Sequence, residues 1–406
     1  MKVSIIGAGN TGLALAVHLL ASGHAPLVYT RSETKARLLT ERGLTVTGRF
    51  SDTSVIPATT DLSEAARYGE VIVICTWANA HREVFDRLYA AAEGRPLHVL
   101  VLNGNWGAVE AFAAWRATTA AARTTAANHI PESDESAGTA ADGSQTVPAR
   151  TIAARTIAAP MIAKVSSITE STGMPYVAHV EGTWSTQTPP ILHITAVKTT
   201  ITVASITSTS SASNETSGSR DGKDSAPVDD LITDLYDQVE YASSVFETSL
   251  CAPNPIIHAP MCLLNMTQIE QGKPFHILTD GFSEHAERLI AHIDGERHAL
   301  AEALDVPYIP IVKQLNGFWD SDYPTLTELF RNNPVYREVM GPDSTTHRFI
   351  QEDIPYGIAP LVSLGRLINV PTPTCEALLT LYSDYFNVPY QGPTFANDLI
   401  AALRDR

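Results

Sequence analysis

The chain opens MKVSIIGAGNTGLALAVHLLASG, and no other stretch limits what it can fold into as strongly. Residues 2–6, KVSII, are apolar enough for a short buried strand, and from Thr11 to Ser22 apolar residues recur at helical spacing until Gly23 stops them. Between strand and helix stand Gly7, Gly9 and Gly12 in GxGxxG spacing. Gly7 permits the tight turn, Gly9 lets backbone amides approach a pyrophosphate, and Gly12 lets the helix pack closely on the strand. The helix amino terminus adds positive potential, with Asn10 and Thr11 inside the same turn. A glycine turn without a ligand is the plainer alternative. A strand-turn-helix at the very start of a chain favours a dinucleotide cradle.

Further apolar runs follow at LVYT (27–30), VIVICTW (71–77) and LHVLVLN (97–103), each suited to a strand covered on both faces. Strands alternating with helices predict a parallel sheet of the Rossmann type. At 406 residues the chain exceeds what one core usually supports, so two domains are expected. After Trp115 the composition turns to Ala, Thr and Ser, with ARTIA repeated in tandem at 149–153 and 154–158, which reads as a low-complexity insertion near 117–158. A Ser/Thr/Gly-rich tract near 208–226 reads as a surface loop, and MPYVAHVEG and ILHITAVKTTITVASI between the two read as strands of the first domain. From Asp229 the pattern is helical, most clearly in SEHAERLIAHIDGERHALAEAL with Ser283 as N-cap. The expected fold is α/β: a Rossmann-type domain over 1–228, then an all-helical domain over 229–406.

A formal net charge of −16 argues against a nucleic acid or an anionic membrane as the partner, because both need clustered Lys and Arg. An anionic substrate must therefore meet a local basic site. Cys75, Cys251, Cys262 and Cys375 lack metal-ligand spacing and fall in apolar surroundings, which suits free thiols and a reducing cytoplasm. The opening lacks the pattern of a signal peptide, and no run is long and apolar enough to span a membrane.

The second strand of such a sheet delivers the residue that meets the adenosine ribose, usually Asp or Glu where NAD is selected. This chain reads YTRSETK there. Arg31 and Ser32, with Lys35 nearby, offer donors to a 2′-phosphate, so NADPH is the expected cofactor and NADH the alternative. A solvated Arg31 is the competing reading. Thr76 after VIVIC, and Asn103 in NGNWGA, follow the carboxyl ends of strands, where ligands bind in open parallel sheets.

CAPNPIIHAP (251–260) boxes a histidine among three prolines. Asn254 and Pro255 read as N-cap and first-turn residue, placing His258 in the first turn of an apolar helix. Pro260 conflicts with an undistorted helix from Asn254, so the helix is either bent or begins at Pro260. A lone histidine at such a place is more often structural than catalytic. Farther on, THRFIQEDIPYG brings Arg348, Glu352 and Asp353 ahead of another apolar helix. A surface charge pair is the ordinary reading of the two acids. A carboxylate there is equally able to orient an imidazole, and Arg348 to grip a carboxylate in a bidentate fork.

With GAGNTG, TGMPYVAHV, NPIIHAP, DGERHALAEAL, EDIPYG and LGRLINVPTPTCEALLTLY in hand, the chain resembles the octopine and nopaline dehydrogenases, that is, the opine dehydrogenase family. The resemblance covers both domains. It implies a Rossmann domain followed by a helical one, and NAD(P)H-dependent joining of an amino acid's amino group to a 2-oxo acid. It also implies that His258 in NPxxH is the catalytic histidine, with Asn254 the motif's asparagine, Asp353 its partner and Arg348 the substrate arginine. The expected partners are an amino acid and a 2-oxo acid such as pyruvate, with a homodimer open. A reductase acting on a single oxo acid is the rival enzyme reading, though such enzymes usually employ a lysine. A non-catalytic NADPH sensor is the third reading. The two insertions depart from the compact family pattern.

Overall fold

The structure is a computed structural model and describes residues 1–127, 164–185, 190–207, 227–391, 395 and 400. Its strands are β1 (Lys2–Ile6), β2 (Ala25–Tyr29), β3 (Leu44–Gly48), β4 (Asp52–Ser54), β5 (Ala58–Thr59), β6 (Val71–Ile74), β7 (Pro96–Leu102), β8 (Lys164–Ser171), β9 (Tyr176–Glu181), β10 (Ile191–Val197), β11 (Thr200–Thr207) and β12 (Gln238–Tyr241). Helices α1 (Asn10–Ala21), α2 (Glu33–Glu41), α3 (Leu62–Tyr68), α4 (His81–Ala91), α5 (Gly107–Ala127) and α6 (Pro227–Leu235) alternate with them.

An eight-stranded sheet runs in the order β12-β11-β8-β7-β6-β1-β2-β5. Neighbours from β5 through β8 pair in parallel, β11 turns antiparallel on β8, and β12 pairs in parallel with β11. A second sheet, β4-β3-β10-β9, lies beyond α1, so that helix is packed between two sheets. That is why α1 is apolar on nearly every side, with Thr11 through Val17 all buried. A Cβ on Gly12 would stand 2.0 Å from the Gly7 carbonyl oxygen, so only glycine admits this strand-to-helix approach.

The sheet domain extends past the expected boundary at 228. Val228, Leu231, Ile232 and Leu235 of α6 are buried against the sheet, and β12 adds its edge, so the first domain reaches Tyr241. The helical periodicity from 229 belongs to a helix that covers the sheet. The tract at 117–158 likewise begins as helix, since α5 continues to Ala127 and alanine is the strongest helix former. Its remainder, and the tract at 208–226, lie outside the described residues.

The second domain is helical: α7 (Val245–Leu250), α8 (Pro253–Leu264), α9 (Met266–Glu270), α10 (Glu284–Leu304), α11 (Ile311–Gly317), α12 (Leu326–Asn332), α13 (Pro334–Arg337), α14 (Arg348–Gln351), a π-helical turn (Ile354–Ile358), α15 (Ala359–Ile368) and α16 (Pro373–Phe386). The expected N-cap is present, with Ser283 Oγ accepting from Ala286 N. Helix α10 organises its neighbours through buried polar groups as well as apolar ones. Arg297 Nη1 donates to the Ala252 carbonyl at 2.6 Å and Glu296 accepts from the backbone of Thr374 and Cys375, which fixes the starts of α8 and α16. Glu170 on β8 joins the domains, accepting from Ala108 N at the start of α5 and from Thr248 and Ser249 of α7. Burial pushes its pKa up to about 7 despite those donors.

Candidate active site

A cavity of about 630 Å³ opens over the carboxyl ends of β1, β2 and β6, and Gly7, Gly9, Arg31, Ser32 and Thr76 all line it. The lining accommodates a dinucleotide on two counts. A Cβ on Gly9 would meet no atom within 4 Å, so the missing side chain opens space into the cavity. Thr76 Oγ1 is buried without a partner, and a buried hydroxyl that the protein leaves unmatched calls for a polar ligand. Ser32 Oγ accepts from Lys35 N as the N-cap of α2, which leaves its O–H free to donate outward. Lys35 and Arg87 line the cavity with Arg31, Arg87 being paired with Glu83 at 3.2 Å. Asn10 and Thr11 do not line the cavity: Asn10 is exposed at the start of α1, and Thr11 Oγ1 donates to the Met174 sulfur at 3.3 Å.

His258 sits in α8, which starts at Pro253 with Ala252 as N-cap, so Asn254 is not the cap. Pro253 fixes its own φ and lacks the N–H that a cap would serve, which makes it a natural first residue. The imidazole therefore falls in the second turn, and the helix passes through Pro260. Asn254 is half-buried in the first turn. His258 Nδ1 lies 2.8 Å from Asp353 Oδ2, so sequence elements far apart in the chain meet here. Asp353 is fully buried immediately before the π-helical turn, a bulge often found where a helix must present a side chain to a site. Gly357 in that turn lets it approach α8, since a Cβ there would come within 2.3 Å of Pro255. The Phe349 ring lies flat on the imidazole, with centroids 3.5 Å apart.

The other Asp353 oxygen accepts from Asn105 Nδ2 at 3.3 Å, which gives the NGNWGA loop a role that the sequence did not suggest. Glu352 is equally consequential. It is 1% exposed, which removes it from the surface pair that adjacent acids suggested. Its Oε1 accepts from Ala78 N at 3.0 Å and from Asn103 Nδ2 at 3.4 Å, both on the first domain. Its Oε2 holds Arg348, with Nε at 2.9 Å and Nη2 at 2.7 Å, while Arg348 Nη1 rests on the Met174 sulfur at 3.1 Å. Asn103 thus faces Glu352 and does not line the large cavity. The amide oxygens of Asn103 and Asn105 are buried without partners, two acceptors that a polar ligand would satisfy.

His347 caps α14, its Nδ1 accepting from Phe349 N at 3.3 Å. Burial first, and then the nearby His258 and Arg348, lower its pKa to about 4. The unfolded chain binds this proton near the ordinary value of 6.5, so native stability from the neutral ring is complete above that pH and falls as pH drops toward 4. Urea unfolding of His347→Asn is expected to show a smaller stability loss between pH 7 and pH 5 than the unaltered chain. An identical loss in both would contradict this assignment.

Comparison with known proteins bears on both domains. Residues 241–386 match the family model described as NAD/NADP octopine/nopaline dehydrogenase, alpha-helical domain. Over those residues the chain is similar to the helical domain of the octopine/nopaline dehydrogenases. That domain begins where the sheet ends, at Tyr241, and contains His258, Arg348, Glu352 and Asp353. Residues 2–104 match the model for NADP oxidoreductase, coenzyme F420-dependent, so the first domain is similar to that of NAD(P)-binding oxidoreductases. An opine dehydrogenase of Arthrobacter sp. (strain 1C) is 31% identical over 160 residues, 39% of this chain and 45% of that protein. The chain spans under half the length of the curated relatives it matches. Octopine dehydrogenase solved with NADH and L-arginine superposes with a TM-score of 0.62 at 15% identity, covering 95% of this chain and 90% of that one. Yersinopine dehydrogenase with NADP⁺ bound gives 0.60 at 14%, covering 100% of this chain and 98% of that one. At these identities the two structures establish the shared two-domain architecture. No described helix is long and apolar enough to cross a membrane.

Proposed function

We propose that the protein is an opine dehydrogenase, which joins the amino group of an amino acid to a 2-oxo acid such as pyruvate and reduces the product to an N-(1-carboxyalkyl) amino acid. The observation that carries this reading is the His258–Asp353 pair, tied through Asn105 and Glu352 to the loops beside the nucleotide cavity. A nicotinamide dinucleotide, when bound in that cavity, would supply the hydride for the reduction. Gly7, Gly9, Arg31, Ser32 and Thr76 would hold it, with Asn10, Thr11 and Gly12 shaping the turn and Asn103 closing the cleft.

His258 acts as general base and then acid. With Nδ1–H donated to Asp353, the imidazole keeps the Nε2 lone pair for the substrate. It takes a proton from the incoming ammonium, the freed amine attacks the oxo carbon, and the imidazolium returns the proton to the departing hydroxyl, which leaves as water. Asp353 fixes the tautomer and stabilises the imidazolium, while Asn105 holds the other carboxylate oxygen in place. Arg348 grips the oxo-acid carboxylate. Asn254, in the first turn of α8, lies on the substrate side.

The basic wall at Arg31 favours NADPH over NADH, since a guanidinium binds a 2′-phosphate and Asp or Glu would have bound the free hydroxyl. Arg31→Asp is expected to reverse the preference in kcat/KM. Equal or better use of NADH by the unaltered enzyme would contradict the role given to Arg31. The function itself is tested by a mass spectrum of the products formed from NADPH and a mixed pool of amino acids and oxo acids. A new secondary amine is expected, and a simple hydroxy acid as sole product would defeat the proposal.

A further inference from the structure

The product of the proposed reaction carries two carboxylates, and Arg348 accounts for one. A second cation meets the same turn that Arg348 touches. Lys198, in the turn between β10 and β11, donates its backbone N–H to the Pro175 carbonyl and carries its ammonium 3.4 Å from the centre of the Phe318 ring. A Cβ on Gly173 would lie 3.1 Å from that ammonium and 3.5 Å from Pro253, so the bare glycine makes room for the cation at the start of the His258 helix. The next residue is Met174, whose sulfur meets Arg348 on the nucleotide side. Lys198 and Arg348 thus both meet the short turn from Thr172 to Pro175.

Its charge is left uncompensated. Among the described residues no carboxylate forms an ion pair with Lys198, and its ammonium rests on the uncharged face of Phe318. An aromatic face offsets only a fraction of what a carboxylate would. Burial lowers its pKa to about 7, the direction expected of an ammonium that has lost water and gained no counter-charge. In a chain of net charge −16 such a cation is not a generic surface group. An arriving carboxylate supplies the partner that the fold withholds.

We propose that Lys198 binds the α-carboxylate of the amino acid substrate, so that the enzyme takes free α-amino acids and discriminates against amines and amino-acid amides. This rests on the opine reading above, with Arg348 reserved for the oxo acid. The test is steady-state kinetics of Lys198→Met and Lys198→Gln with NADPH, pyruvate, and either an amino acid or its amide. Each variant's NADPH affinity, measured by fluorescence titration, reports whether the first domain remains intact.

The amino-acid KM is expected to rise by about 10- to 100-fold, the usual cost of losing a charge-assisted contact. The oxo-acid KM should change by less than about 3-fold, and the preference of the unaltered enzyme for acid over amide should vanish. Lys198→Arg should recover part of the amino-acid affinity. An amino-acid KM unchanged in both variants would overturn the assignment while leaving the opine reading intact. A collapse of kcat with both KM values unchanged would also overturn it, placing the lysine in proton transfer. If the unaltered enzyme reduces oxo acids at full rate with no amine present, the opine reading fails, and this inference with it.

Discussion

His258→Ala is expected to lower kcat by about 10²- to 10⁴-fold, the range that a lost general acid-base group usually costs. NADPH affinity should stay within about 3-fold, because the site proposed for the dinucleotide, the cavity lined by the turn after β1 and by Arg31, lies on the other domain. Steady-state kinetics beside a fluorescence titration of NADPH separates the two effects. Asp353→Asn should follow in the same direction but less severely. It keeps the shape of the partner yet removes the charge that stabilises the imidazolium, and its amide can present an N–H to Nδ1. Near-normal turnover in His258→Ala would return the residue to a structural role under Phe349 and reopen the single-substrate reductase reading.

Glu352→Gln should produce the second large change, and of a different kind. The carbonyl oxygen of glutamine can still accept from Ala78 N, but the amide nitrogen in place of Oε2 faces the guanidinium of Arg348 with donors against donors. Arg348 loses its anchor, and a buried position loses a charge that its neighbour requires. The oxo-acid KM is expected to rise by about 10- to 100-fold, with a smaller fall in kcat. Arg348→Lys should raise the same KM, because an ammonium cannot reproduce a bidentate grip. The double variant should fall well short of the product of the two single effects, since both break one pair. Full multiplicativity would show that Glu352 acts independently of Arg348.

The parts of this account legible in the sequence are those with a local physical cause. Three glycines between a strand and a helix fix a turn, because each answers a steric demand, and the demand at Gly12 is visible as a contact that no Cβ would survive. Ser283 caps α10 for equally local reasons. The meeting of His258 and Asp353 has no local cause, and only the folded chain brings α8 and the π-helical turn together. Glu352 was misjudged as a surface charge because adjacent acids are usually solvated, and nothing in RFIQED shows that the first domain covers it. Asn254 resembled a cap, but the helix begins at Pro253, two residues earlier than that cap implies. Lys198 gave no sequence signal, and Asn105 read as a ligand-facing loop residue with nothing to tie it to Asp353. One is an amide in a glycine-rich loop and the other a lysine in the turn that links the two sheets, and their meaning comes from what packs on them.

The central claim is that this active site joins two substrates and does not reduce one. Its most direct test is the initial rate of NADPH oxidation with an oxo acid alone, an amino acid alone, and the two together. The account predicts little oxidation with either alone and saturable dependence on both when they are combined, with one secondary amine formed for each NADPH consumed. Full-rate oxidation with the oxo acid alone, unaltered by any amino acid, would contradict it.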